Sequence, residues 1–183
     1  MSEARFYDDD LTNLGLSIFL AGPTSRRART AWRLEVMQAP FDGTWVVPEF
    51  RSASFDTAAA QRFARDASPA PGMRPVSYGI LEWETTGIER ASVVLFWMPF
   101  SITHEDDPAS LPGFTTRAEV SREIVRGPKR IVLGMPEGAL SGSHIRYHAH
   151  HAGVRIHTTL AATVAAAIDL ARFRSVVFEE PST

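Results

Sequence analysis

The chain has 183 residues, 44% hydrophobic and 22% charged, a length and balance that suit one compact domain with a sizeable core. A net charge of -2, with the arginines scattered, offers no basic field for a nucleic-acid backbone, so no polymeric nucleic-acid partner is expected. Without cysteine there is no disulfide framework, thiol nucleophile or cysteine-based zinc site, and no apolar run approaches the length needed to span a membrane.

Residues 1–16 read as a polar leader; their acidic start has none of the features of a signal peptide, so a cytoplasmic protein is expected. Ser17 to Ala21 reads as a first buried strand, stopped by the turn signal Gly22-Pro23-Thr24. Arg26 and Arg27 follow, and Ala31 to Met37 then has apolar residues at helical spacing, ending near Pro40. Trp45-Val46-Val47 is a short second strand, closed by Pro48 and followed by Glu49. The segment 51–75 is an irregular insert with one short helix expected around Ala58 to Ala64; we read it as a lid or a contact between copies in a homo-oligomer.

From Ser77 to Ala91 a helical pattern puts Ile80, Ile88 and Ala91 on one face. Glu84 lies on that face, four residues from each isoleucine. A carboxylate there has to be paired, hydrogen-bonded or neutral, unless it reaches to water at the rim of the stripe. Gly87 weakens this helix or admits a close neighbour. Ser92 to Met98 is an uninterrupted apolar strand, followed by a polar loop from Pro99 to Pro112. Next comes a helix expected to carry Glu119 in its first turn, where Thr116-x-x-Glu119 also fits a simple capping box; it stops at Gly127-Pro128. Arg130 to Leu133 and Val154 to Ile156 read as the fourth and fifth strands, with a helix from Ser143 to His151 between them. Leu160, Val164, Ala167, Ile168 and Ala171 stripe a final helix.

This order predicts a single α/β domain over residues 17–175, a doubly wound five-stranded parallel sheet in the flavodoxin-like order 2-1-3-4-5. Its switch point falls between the first and third strands, at Gly22-Pro23-Thr24 and the loop after Pro99. Backbone N–H groups there, with Arg26 and Arg27, can meet a phosphate or ribose, although a plain strand-to-helix turn explains the glycine and proline equally well. Trp83, Trp97 and Glu49 are expected to converge nearby, the indoles stacking on a base and the carboxylate accepting from an amine; the alternative is that both tryptophans fill core. His144, His148 and His151 share a helical face, but no Glu or Asp completes a metal set, so solvated surface histidines are expected and neither metal nor organic cofactor is invoked. With no Gly-x-Ser-x-Gly or Gly-x-Gly-x-x-Gly element, acid and nucleophile work falls to carboxylates, and the candidates are Glu84 and Glu119.

Taken in order, Ile18 to Thr24, Trp32-Arg33, Val47-Pro48-Glu49, Trp83-Glu84, Leu95 to Pro99, Thr115 to Glu119, Gly134-x-Pro136 and Tyr147 resemble the nucleoside 2-deoxyribosyltransferase family, in its branch with Trp-Glu and Phe-Trp-x-Pro signatures. The resemblance implies that Glu119 attacks the anomeric carbon of a nucleoside or nucleotide, and that Glu84 orients the sugar and helps move a proton to the leaving base. It implies too that Thr115 and Thr116 contact the substrate. The family usually has an aspartate where Leu111 to Phe114 stand, and some members have a tyrosine where Phe19 stands. Three outcomes therefore stay open: a transferase, an N-glycosidase that passes the sugar to water, and a noncatalytic nucleotide-binding or sensing domain.

Overall fold

The computed structural model describes residues 2–7, 9–22, 31–49, 75–99, 114–139 and 142–178. Strands β1 (Glu3–Arg5), β2 (Ser17–Ala21), β3 (Thr44–Val46), β4 (Val93–Trp97), β5 (Ile131–Gly134) and β6 (Ile156–His157) form one sheet in the order β1-β3-β2-β4-β5-β6. Every pairing is parallel. The helices are α1 (Ala31–Met37), α2 (Pro75–Arg90), α3 (Phe114–Arg126), α4 (Ser143–His151) and α5 (Leu160–Phe178), with a 3-10 turn at Pro128–Arg130. This is an α/β fold of the Rossmann or flavodoxin-like class.

Strands β2 to β6 keep the expected order, but the sheet has six strands and not five. The sixth is β1, from the segment read as a leader. It adds in parallel to the outer edge of β3, Glu3 opposite Thr44 and Arg5 opposite Val46. Three apolar residues that follow it, Tyr7, Leu11 and Leu14, are buried against the sheet. The insert 51–75, its expected helix, and the loop after Pro99 lie outside the described residues, apart from Pro75, which opens α2.

Strand alternation sorts the core into two layers. Phe19, Ala21, Val94, Phe96 and Met98 face α2, α3 and α4 through Ile88, Val120, Ile124, Ile145 and Ala149. Ile18, Leu20, Val93, Leu95 and Trp97 face α1 and α5 through Trp32, Val36, Val164, Ala167 and Ile168. The central strands are buried throughout, which is why they read as unbroken apolar runs. Gly87 lets α2 close onto the sheet, since a Cβ there would lie 2.6 Å from the Phe19 ring. Among the described residues no helix is long and apolar enough to cross a membrane.

Two features fix α2 against α3. Arg130 donates to the backbone carbonyls of Ile88, Glu89 and Ala91, the orphan acceptors at the end of α2. The same guanidinium pairs with Glu123 of α3 at 3.1 Å, whose carboxylate is 2% exposed and also meets Arg122 at 3.1 Å.

Candidate active site

In a parallel sheet all strands point the same way, so the residues leaving β1, β2, β3 and β4 gather at one edge. Tyr7 leaves β1, Gly22 leaves β2 and Glu49 follows β3. The Tyr7 N–H donates to the Glu49 carbonyl at 3.0 Å, stitching the exits of β1 and β3 together.

At this edge the Tyr7 hydroxyl donates to Glu84 Oε1 at 2.5 Å, across 77 residues of sequence. Glu84 is thus held on the apolar face of α2 by a hydrogen bond. The Tyr7 ring meets Trp83 edge-on with centroids 5.0 Å apart, and Trp83 Nε1 donates to the Asp9 carbonyl at 3.1 Å. Trp83 therefore anchors the N-terminal segment over the site. Its other neighbour is Phe19, 6.3 Å away between centroids.

Burial raises Glu84 above the usual carboxylate range, while the Tyr7 bond and the Arg33 charge oppose the rise. Glu119 is lifted from 4.5 to about 7, first by burial and then by the charge of Glu84, with Arg122 opposing. Tyr7 is pushed well above the ordinary phenol range by burial and by Glu84, so it stays protonated and serves as a donor. The pair therefore resists carrying two negative charges and holds a proton near neutrality.

The second part of the edge is Arg33, 0% exposed although α1 is short. Its Nε donates to the Leu20 carbonyl at 3.2 Å, Nη2 to the Gly22 carbonyl at 3.1 Å and Nη1 to Glu49 at 2.7 Å. Glu49 is 16% exposed and so presents a carboxylate at the rim whose inner oxygen is already bound. The guanidinium also lies 4.5 Å from the Trp32 ring centre. Burial pulls Arg33 below the usual arginine range and Glu49 opposes this, and its field reaches both Glu84 and Glu119.

Several expectations need correction. Glu119 is the sixth residue of α3, which starts at Phe114 and has no acidic residue in its first turn. Thr116 lies inside the helix and is buried, so it cannot be the N-cap of a capping box. Trp97 and Trp83 do not converge: Trp83 packs in the α2 layer and Trp97 in the α1 and α5 layer. The Trp97 ring fills the space over Gly134, where a Cβ would lie 2.5 Å from it, so this indole is core. Gly22 also has a packing reason, since a Cβ there would lie 2.6 Å from the Trp32 ring and 2.9 Å from the Trp97 carbonyl. Pro23, Thr24, Arg26 and the side chain of Thr115 lie outside the described residues.

Tyr7 and Arg33 are the site residues that sequence reasoning missed. Arg33 had a signal, a cation between Trp32 and the apolar positions of a short helix. Tyr7 had none beyond its aromatic side chain in a polar segment. A groove of about 500 Å³ lies between α1 and α5, lined among others by Val36, Leu160, Asp169 and Arg172, on the opposite face from the two glutamates. The carboxylates with raised proton affinity are at the strand exits and not in that groove. Among the described residues no group of three or more His, Cys, Asp or Glu side chains converges on a metal position. No family profile matches the chain, and no curated protein matches its sequence.

Proposed function

We propose that the protein cleaves the N-glycosidic bond of a nucleoside or nucleotide and transfers the sugar to an acceptor base. The observation that carries this reading is a pair of half-buried carboxylates on separate helices, Glu84 and Glu119, both raised by partial burial, with the charge of Glu84 acting on Glu119 at the strand exits. An oxocarbenium-like transition state is stabilised by negative charge beside it, and departure of the base requires a proton; a pair holding one proton supplies both.

In the productive protonation state the proton sits on Glu84 and Glu119 is ionised. A Glu119 oxygen forms a bond to the anomeric carbon as the bond to the base nitrogen breaks, and the Glu84 proton passes to the departing base. The glycosyl ester is then opened by a nitrogen of the second base, whose proton returns to Glu84. Tyr7, bonded to Glu84 Oε1, fixes which oxygen faces the substrate. Some members of the resembled family have a phenol where Phe19 stands; here Tyr7 brings a hydroxyl to the carboxylate pair instead. The rim carboxylate of Glu49, oriented by Arg33, is placed to accept from a sugar hydroxyl or a base amine.

Incubation with nucleosides and 5′-nucleotides, with and without an acceptor base, tests the reading. Base exchange that needs the acceptor and is lost in Glu119→Ala supports it. Base release without an acceptor makes the protein an N-glycosidase, and tight binding without turnover makes it a sensor. Quenching a slow 2-fluoro nucleoside reaction should leave a sugar adduct on Glu119, and an adduct elsewhere would defeat the mechanism.

A further inference from the structure

We propose that His144 and His148 on α4 form a surface chelate for a borderline divalent ion such as Zn²⁺, Ni²⁺ or Cu²⁺. The two side chains stand one turn apart on a nine-residue helix, and their Nε2 atoms face each other at 3.1 Å. The rings meet edge to face with centroids 4.4 Å apart, so neither blocks the other's nitrogen. In a neutral pair one Nε2–H points at the lone pair of the other; when that proton moves to Nδ1 of its own ring, both Nε2 lone pairs can take an ion.

The spacing suits coordination. With metal–nitrogen bonds of about 2.0–2.1 Å, nitrogens at this separation subtend roughly 95–100° at the ion, between octahedral and tetrahedral values. To meet the ion each lone pair turns roughly 40° off the line between the two nitrogens, which the broad χ2 torsion of a surface histidine permits. Imidazole is a ligand suited to zinc, copper and nickel. His151 is engaged with the Tyr147 ring at 4.4 Å, so the remaining coordination positions go to water and the ion is exchangeable. The periodicity of α4 had suggested only solvated histidines; what changes this is that two of the rings converge through the same nitrogen atom.

This site is separate from the carboxylate pair, and its test needs no catalytic activity. Zn²⁺ is titrated into the full chain in a non-coordinating buffer at pH 7.5 by calorimetry, and histidine ¹⁵N spectra are recorded in parallel. One ion should bind per chain and move the Nε2 signals of His144 and His148 together. His144→Ala and His148→Ala should each weaken binding roughly tenfold or more, because a chelate becomes a single ligand. His150→Ala, turned roughly 120° from His144 by the helical period, should leave affinity unchanged. Circular dichroism confirms that the variants, changed at surface positions, remain folded. Absence of binding at millimolar Zn²⁺, undiminished affinity in either single variant, or an equal loss in His150→Ala would overturn the proposal.

Discussion

Replacing Glu119 by glutamine should make the protein more stable and less active, and the gain should depend on pH. Glu119 is raised from 4.5 to about 7 in the folded chain. The folded state therefore keeps a proton that the unfolded chain loses above pH 4.5, so stability falls as pH rises from there to about 7 and is flat beyond. Each tenfold in proton affinity is about 1.4 kcal/mol, which puts the full cost of ionising Glu119 at about 3 kcal/mol by pH 8. Glutamine copies the shape of the neutral acid and never ionises. At pH 4.5 the variant should differ from the wild type by less than about 1 kcal/mol, and at pH 8 it should be more stable by about 1–3 kcal/mol, a gain of several degrees in Tm for a chain of this size. Urea unfolding of both proteins at the two pH values measures this directly. The reasoning fails if the difference is the same at both pH values, or if the variant is the less stable at pH 8. On the proposed mechanism the pair must carry one proton, so kcat/KM should be bell-shaped, rising on its acid limb as Glu119 ionises and falling once Glu84 has lost the proton it passes to the base, and Glu119→Gln should have no activity at any pH.

Tyr7→Phe removes the donor to Glu84, which should bind its proton more tightly and so repel Glu119 less; the acid limb of the rate profile should move to lower pH and stability should drop by about 1–3 kcal/mol, whereas an unmoved limb would leave Tyr7 a packing residue only. Arg130→Met strips the buried Glu123 of a partner and the end of α2 of its donor, and thermal unfolding should show a loss of about 3–5 kcal/mol, against less than about 1 kcal/mol for the more exposed pair formed by Arg126 and Glu89 when Arg126 is changed to alanine. Gly87→Ala gains about 1 kcal/mol of helix propensity but drives a Cβ to 2.6 Å from the Phe19 ring, so it should be net destabilising by about 1–3 kcal/mol; a stabilised variant would show that α2 can move away from the sheet.

The central strands and the apolar position of Glu84 could be read from the chain because both follow from local spacing. Strands β2 and β4 are buried on both faces, and a run such as Val93 to Trp97 has no other soluble use at that length. Glu84 interrupts an isoleucine stripe at the right period, and a carboxylate in that place has to find a partner. Which partner it finds was not readable. Tyr7 reaches it only because β1 docks on β3, and β1 is a three-residue polar edge strand held by backbone bonds, with no apolar run or alternation to announce it. Parity explains the error over Trp97. Along β4 the odd positions Val93, Leu95 and Trp97 share a face, but nothing local says whether that face looks toward α2 or toward α1. The position of Glu119 has a similar cause: Thr116 and Glu119 have capping-box spacing, yet α3 already runs from Phe114, so the same spacing occurs inside a helix, where it aligns two side chains on one face instead of capping an end. From the second turn Glu119 can share a field with Glu84, and α2 and α3 are tied together by the Arg130–Glu123 pair, whose Glu123 charge also raises Glu119. The proton affinity of the pair should therefore respond to Arg130→Met before the fold is lost, visible as a displaced acid limb at temperatures where the variant remains fully folded.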